Sequence, residues 1–280
     1  MLECSICVHT EKTKKILFED KPICVDCLTY KKYPIDFNKL KKEVEETLEK
    51  IKKENKKYQC ILAFSGGKDS VVALKLLKEE FKINPICVLV DNNYLSEDVI
   101  KNAINVTKYY NTDLIIINRD FTWLFNEVLN RCESPCRRCS RLILREVWRV
   151  AKLLGIKYII TGHELPFGHS AIRDMKDGIK MIRLLAPYKI REEEKYELIK
   201  DLPWKKPNLY GYTTNCLILG VALERFYQKY GFSFEIDRIA AMVRLGLLNK
   251  EKAKEFLKKP NIPEELYEEL KSRGLKLINK

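Results

Sequence analysis

A chain of 280 residues, 46% of them hydrophobic, has room for one substantial α/β domain plus smaller appendages and enough apolar material for a real core. Its net charge of +13 is compatible with an acidic partner such as nucleic acid, but a Lys-, Glu- and Ile-rich composition also typifies heat-adapted proteins whatever they bind. No apolar run approaches the roughly 20 residues that span a bilayer, no signal-peptide pattern is present, and the ten cysteines are grouped rather than spread; a cytoplasmic protein with no membrane partner is expected.

Residues 1–36 read as a compact cysteine module. Cys4-x-x-Cys7 and Cys24-x-x-Cys27 are two knuckles that each present a pair of sulfurs, and their separation lets the pairs close a tetrahedral four-thiolate site, for which Zn2+ is the expected ion and iron the alternative. Residues 37–57 are dense in Lys and Glu, with Leu40, Val44, Leu48 and Ile51 forming one narrow apolar stripe, as in a helix laid on a larger domain.

From residue 58 to about 200 the pattern alternates strand and helix. Strands are expected near 59–64, 85–91, 113–117 and 157–161, and helices near 69–81, 96–110, 121–130 and 138–154. That alternation predicts an α/β fold with a doubly wound parallel sheet, whose ligands sit beyond the carboxyl ends of the strands. Three segments fall at those ends: Ser65-Gly66-Gly67-Lys68-Asp69-Ser70, Asp91-Asn92-Asn93 and Thr161-Gly162-His163-Glu164. The first joins an apolar strand to a helix through two glycines, so its backbone amides can form a concavity for anions at a helix N-terminus. Asp91 is either a contact to a nucleotide's sugar or base or a turn former. Gly162 admits close backbone approach, and His163 either faces the nucleotide or bonds loop backbone. Residues 201–280 read as a helical region, with helices near 213–230, 235–246, 249–258 and 263–273.

A second cysteine group, Cys132, Cys136 and Cys139, precedes a basic helix. Its Cys-x3-Cys-x2-Cys spacing matches the radical SAM ligand pattern, but Arg138 stands where an aromatic residue is usual. Arg137, Arg141, Arg145 and Arg149 recur every fourth residue and make a guanidinium stripe suited to an RNA backbone, or else a solvated face paired with acids.

The Ser65–Ser70 segment lacks the Gly-x-x-x-x-Gly-Lys-[Ser/Thr] spacing and instead resembles the PP-loop, Ser-Gly-Gly-x-Asp-Ser, of the ATP pyrophosphatases that cleave ATP between the α- and β-phosphates. The resemblance implies an adenine nucleotide alpha hydrolase-like (HUP) fold. It implies an ATP site formed by Ser65, Gly66, Gly67, Lys68, Asp69 and Ser70, with Asp91, Gly162 and His163 at its rim and Asp69 holding Mg2+. The segment Cys136-Arg137-Arg138-Cys139-Ser140-Arg141-Leu142 is similar to that of tRNA 2-thiolation enzymes of the TtcA/TtuA type. By that resemblance Cys136, Cys139 and the distant Cys216 hold a [4Fe-4S] cluster, and Lys68, Asp69 and the three cysteines are catalytic. Cys132 is then a fourth ligand, a persulfide carrier or a bystander, while Cys60 and Cys87 belong to the core.

The implied reaction is ATP-dependent sulfur transfer to a tRNA base, with sulfide or a sulfur-carrier protein as donor and a homodimer as a compatible assembly. Two features depart from the pattern: Glu164-Leu165-Pro166 follows Gly162-His163, and no second zinc module follows. The tail through Arg244-Leu245-Gly246-Leu247-Leu248-Asn249-Lys250-Glu251 is similar to that of PP-loop amidotransferases acting on N-acetyl sugars, which makes amide or ligase chemistry on a small metabolite the alternative.

Overall fold

The computed structural model describes residues 2–207 and 215–276. The N-terminal module consists of β1 (Ile16–Phe18) and β2 (Pro22–Cys24), an antiparallel pair, followed by the short α1 (Val25–Lys32). Helix α2 (Phe37–Lys52) starts at Asp36, whose carboxylate accepts the Lys39 amide at 3.0 Å. It buries Leu40, Val44, Leu48 and Ile51 on the main domain. The expected apolar stripe is therefore the docking face.

The main domain runs β3 (Cys60–Ala63), α3 (Lys68–Lys75), β4 (Pro85–Asp91), α4 (Glu97–Tyr109), β5 (Leu114–Asn118), α5 (Thr122–Arg131), α6 (Cys136–Leu153) and β6 (Tyr158–Thr161). It then adds β7 (Ile172–Asp174), β8 (Lys180–Arg183) and α7 (Glu192–Ile199). The strand order is β5-β4-β3-β6-β8-β7, with neighbours parallel except β7, which runs antiparallel to β8. The sheet is the expected doubly wound parallel one, with a single antiparallel strand, β7, added at its edge. Strands β7 and β8 escape the sequence pattern because they are short, carry Arg and Lys, and bury only Met181 and Ile182. Helix α7 begins with three glutamates and has no apolar stripe to announce it.

Residue alternation sorts the two faces. Cys60, Leu62, Cys87, Leu89, Ile160 and Ile182 point to the side covered by α2, α3 and α4. Ile61, Ile86, Val88, Val90 and Ile159 point to the side covered by α6. Helices α8 (Ile218–Tyr230), α9 (Ile236–Arg244), α10 (Lys250–Phe256) and α11 (Glu264–Ser272) complete the described chain. The expected helix over 213–230 is seen from Ile218; residues 208–214, including Tyr212, Thr213 and Thr214, lie outside the described residues.

Helices α5, α8 and α11 share one cluster around Tyr94 and Phe125, while α9 and α10 pack on the cysteine module. Helix α3 continues beyond Lys75 as a π-turn over Leu76–Glu80, so the expected helix of 69–81 is continuous but changes its winding. No helix of the described residues is long and apolar enough to cross a membrane.

Leu48 is fully enclosed between α2 and the sheet. Leu48→Ala is expected to cost about 3 kcal/mol of unfolding free energy, to be read as a lower urea midpoint with an unchanged slope.

Candidate functional site

The strand order reverses between β3 and β6, and the turns that follow these two strands meet there. Gly66 has φ +72°, and a Cβ on it would lie 2.3 Å from the Val99 carbonyl oxygen. A Cβ on Gly67 would meet the Asn215 side chain at 2.3 Å, and one on Gly162 would meet the Asp69 carbonyl oxygen at 2.7 Å. Gly162 therefore lets β6 abut the first turn of α3 directly.

Gly67 caps α3 with extended backbone and no side-chain bond, which leaves the helix N-terminus open toward the turn. Ser70 Oγ donates to Gly67 O at 2.8 Å, and Asn215 Nδ2 donates to Ser65 Oγ at 3.0 Å. Trp204 Nε1 holds the Gly66 carbonyl at 3.0 Å. The structure thus brings together Ser65, Gly66, Gly67, Lys68, Asp69, Ser70 and Gly162 of the expected site. Asp91 makes a turn, its Oδ1 accepting the Asn93 amide at 2.9 Å. His163 stands at the cleft, its Nδ1 2.9 Å from Thr161 Oγ1. Desolvation by the surrounding walls, with Arg183 adding repulsion, pushes its pKa down to about 4.

A charge cluster that no motif announced sits under the turn. Lys195, fully buried on α7, contacts Asp69 Oδ1 at 3.1 Å, Glu192 Oε2 at 3.5 Å and Glu164 Oε1. Lys68 Nζ is 3.3 Å from Asp69 Oδ1 and 3.1 Å from Glu192 Oε1. Burial alone would raise the Asp69 pKa, but Lys68 and Lys195 outweigh it and hold the carboxylate below its usual range. Burial would lower Lys68, yet Asp69 and Glu192 win and keep it above its ordinary value. For Lys195 burial wins and the pKa falls. The residue hides in a stretch of mixed charge, where only its burial sets it apart.

Cys136 and Cys139 lie on the first turn of α6, one exposed and one buried. Cys216 packs against the same cluster as Cys139, and it adjoins Asn215, which touches the glycine turn. Asn92 Nδ2 lies 3.6 Å from Cys139 Sγ. Burial pushes the Cys139 thiol up to about 11 despite Asn92, and the Cys216 thiol up to about 12, with Cys139 contributing to the latter. Cys132 ends α5 in the left-handed conformation. Arg137, Arg141, Arg145 and Arg149 are all exposed along α6. Arg149 pairs with the buried Glu146 at 2.7 Å, which also holds Arg119 at 3.1 Å, while Arg145 approaches it at 3.9 Å. Arg137 and Arg141 have no ion pair among the described residues.

Cys4, Cys7, Cys24 and Cys27 are buried with their sulfurs within 4.8 Å of one another, a donor set for one tetrahedral ion. The Cys24 amide donates to Cys4 Sγ at 3.3 Å and the Cys27 amide to Cys24 Sγ at 3.4 Å, as suits sulfurs carrying negative charge. Arg244 of α9 donates to Cys27 Sγ at 3.3 Å, so the quartet and the C-terminal helices share a charged contact. Charge on any one of Cys136, Cys139 and Cys216 acts on another of the three, so these thiols are near neighbours.

Lys195→Met removes the buried cation shared by Asp69, Glu164 and Glu192, leaving Lys68 to Asp69 and Glu192, and is expected to cost about 3 kcal/mol, measured by chemical denaturation. Cys24→Ser is expected to remove one metal ion per chain by plasma mass spectrometry. The same variant should lower amide-exchange protection in Ile236–Arg244 as well as in the module, since the two share one apolar cluster.

Residues 59–165 match the family model of the phosphoadenosine phosphosulfate reductase domain. The chain is 74% identical over 277 residues to the uncharacterized protein MJ1599 of Methanocaldococcus jannaschii, covering 99% of this chain and 100% of that one. It is 27% identical to the cytoplasmic tRNA 2-thiolation protein 1 of Scheffersomyces stipitis, over 57% of this chain and 43% of that protein. The U34-tRNA thiolase NcsA of Methanococcus maripaludis, solved with its [4Fe-4S] cluster, aligns over 88% of this chain and 87% of that one, with 18% identity and a TM-score of 0.44. The chain therefore belongs to one family with MJ1599, and the part of it that carries the glycine turn at the switch point of the sheet matches the phosphoadenosine phosphosulfate reductase domain.

Proposed function

We propose that the protein is a cytoplasmic ATP-dependent sulfurtransferase that activates a carbonyl of a tRNA base by adenylation and replaces its oxygen with sulfur. The observation that carries this reading is the pair Asn215-Cys216: Asn215 bonds Ser65 of the glycine turn, and the next residue joins the cluster that holds Cys139. The nucleotide turn and the thiols are neighbours. The resemblance to tRNA 2-thiolation enzymes in the Cys136–Leu142 segment, and the partial match to a protein of that name, point the same way.

The base oxygen attacks the α-phosphorus of ATP, the α–β phosphoanhydride bond breaks, and pyrophosphate leaves. The amides of Gly66, Gly67 and Lys68, together with the Lys68 ammonium, stabilise the charge developing on the departing phosphates. Asp69 is the carboxylate for the Mg2+ that accompanies ATP. Sulfide, free or delivered by a carrier protein, then attacks the adenylated carbon, and AMP departs with the former carbonyl oxygen. A [4Fe-4S] cluster held by Cys136, Cys139 and Cys216 would supply an iron with a free position for that sulfur. Zn2+ in the N-terminal quartet would be structural. The exposed Arg137 and Arg141, free of ion pairs among the described residues, would meet RNA phosphates, with Arg145 and Arg149 extending the track.

The test is nucleoside mass spectrometry on total tRNA from cells with and without the gene. One thiolated nucleoside should vanish on deletion and return with the wild type, but not with Cys136→Ala or Asp69→Asn. A tRNA profile indifferent to the gene would sink this reading in favour of nitrogen transfer to a small metabolite.

A further inference from the structure

Beside the cysteine quartet the N-terminal module holds a second group of donors that contains no sulfur. His9 is fully buried, and its ring faces Asp26 of α1 and Asp237 of α9, with ligand atoms within 4.8 Å of one another. Thr13 Oγ1 lies 3.1 Å from both the Thr10 carbonyl and His9 Nδ1. With the hydroxyl proton on the carbonyl, the ring donates from Nδ1 and Nε2 keeps a bare lone pair.

That lone pair has no hydrogen-bond partner. It looks at two other acceptors, Asp237 Oδ1 at 3.4 Å and Asp26 Oδ2 at 3.9 Å. Three acceptors directed at one another are repulsive unless a cation stands between them. Lys14 Nζ answers part of this, at 2.9 Å from Asp237 Oδ1 and 3.3 Å from Asp26 Oδ2, and Arg244 Nη2 lies 3.7 Å from Asp26. Neither satisfies Nε2. Lys14 reaches in on a flexible stem whose side chain is 27% exposed, so it can leave for solvent.

We propose that His9 Nε2, Asp26 and Asp237 form a second divalent-metal site, with Lys14 as its placeholder in the metal-free protein. One imidazole and two carboxylates suit a first-row divalent ion such as Mn2+, Fe2+ or Zn2+, and the fixed Nδ1–H aims the ring as in established metal sites. Two negative charges balance one divalent ion once Lys14 withdraws. Because Asp237 stands in the first turn of α9, a bound ion ties the N-terminal module to the C-terminal helices without using any thiol of the quartet.

The experiment uses the full-length protein with its quartet filled with Zn2+, titrated with Mn2+ without nucleotide, free Mn2+ being read by electron paramagnetic resonance. Mn2+ stands lowest in the affinity series and does not displace Zn2+ from thiolates. One equivalent should bind to the wild type. Affinity should fall about tenfold or more in Asp237→Asn and rise about tenfold in Lys14→Gln, where the competing charge is gone. Asp237 is 69% exposed in its side chain, so its replacement leaves the packed face of α9 intact. Mn2+ binding indifferent to Asp237→Asn would overturn the proposal, as would no binding to either the wild type or Lys14→Gln.

Discussion

Three absent Cβ atoms hold this site open. At Gly66, Gly67 and Gly162 a methyl group would collide with the Val99 carbonyl, the Asn215 side chain and the Asp69 backbone respectively. Four segments distant in sequence can therefore converge on one point at the reversal of the sheet. Everything chemical follows from that convergence: the open N-terminus of α3, the packing of α7 against α3, and the approach of Asn215 with Cys216 behind it. A larger residue at any of the three would push a whole element away, because the atoms it meets are backbone or a short, hydrogen-bonded amide.

Below the turn, charge replaces packing as the organising force. Asp69, Glu164 and Glu192 surround Lys195, and Lys68 bridges Asp69 and Glu192, so two cations serve three carboxylates. Such a cluster is costly to bury and strongly coupled, which makes it a poor source of net stability but a firm constraint on geometry. A divalent ion placed at Asp69 would enter a field already set by two lysines. The glycine turn and the position of α7 are thereby linked through shared charges.

Much of this was legible in the chain. The Ser65–Ser70 segment foretold the glycine turn between β3 and α3, because its glycines and flanking apolar runs require a strand, a tight turn and a helix in that order. Cys4, Cys7, Cys24 and Cys27 could be read from spacing alone, and the stripe Leu40, Val44, Leu48, Ile51 foretold the docking face of α2. What escaped was non-local. Lys195 carries no signature beside its glutamates, and Trp204 gives no hint that its indole bonds the Gly66 carbonyl. The edge strands Ile172–Asp174 and Lys180–Arg183 are too short and too polar to show a period of two. Glu146 carries no signature on a basic helix, yet it is buried and anchors Arg119 and Arg149, so part of the arginine stripe is spoken for from within.

The cysteine module packs on α9 and α10, and Lys250 donates to the Cys4 carbonyl across a separation of 246 residues. On the ribosome the module emerges before α9 and α10, the surface it packs on. Closing so long a loop costs only logarithmically more entropy than closing a short one, so the delay is a matter of order rather than of energy.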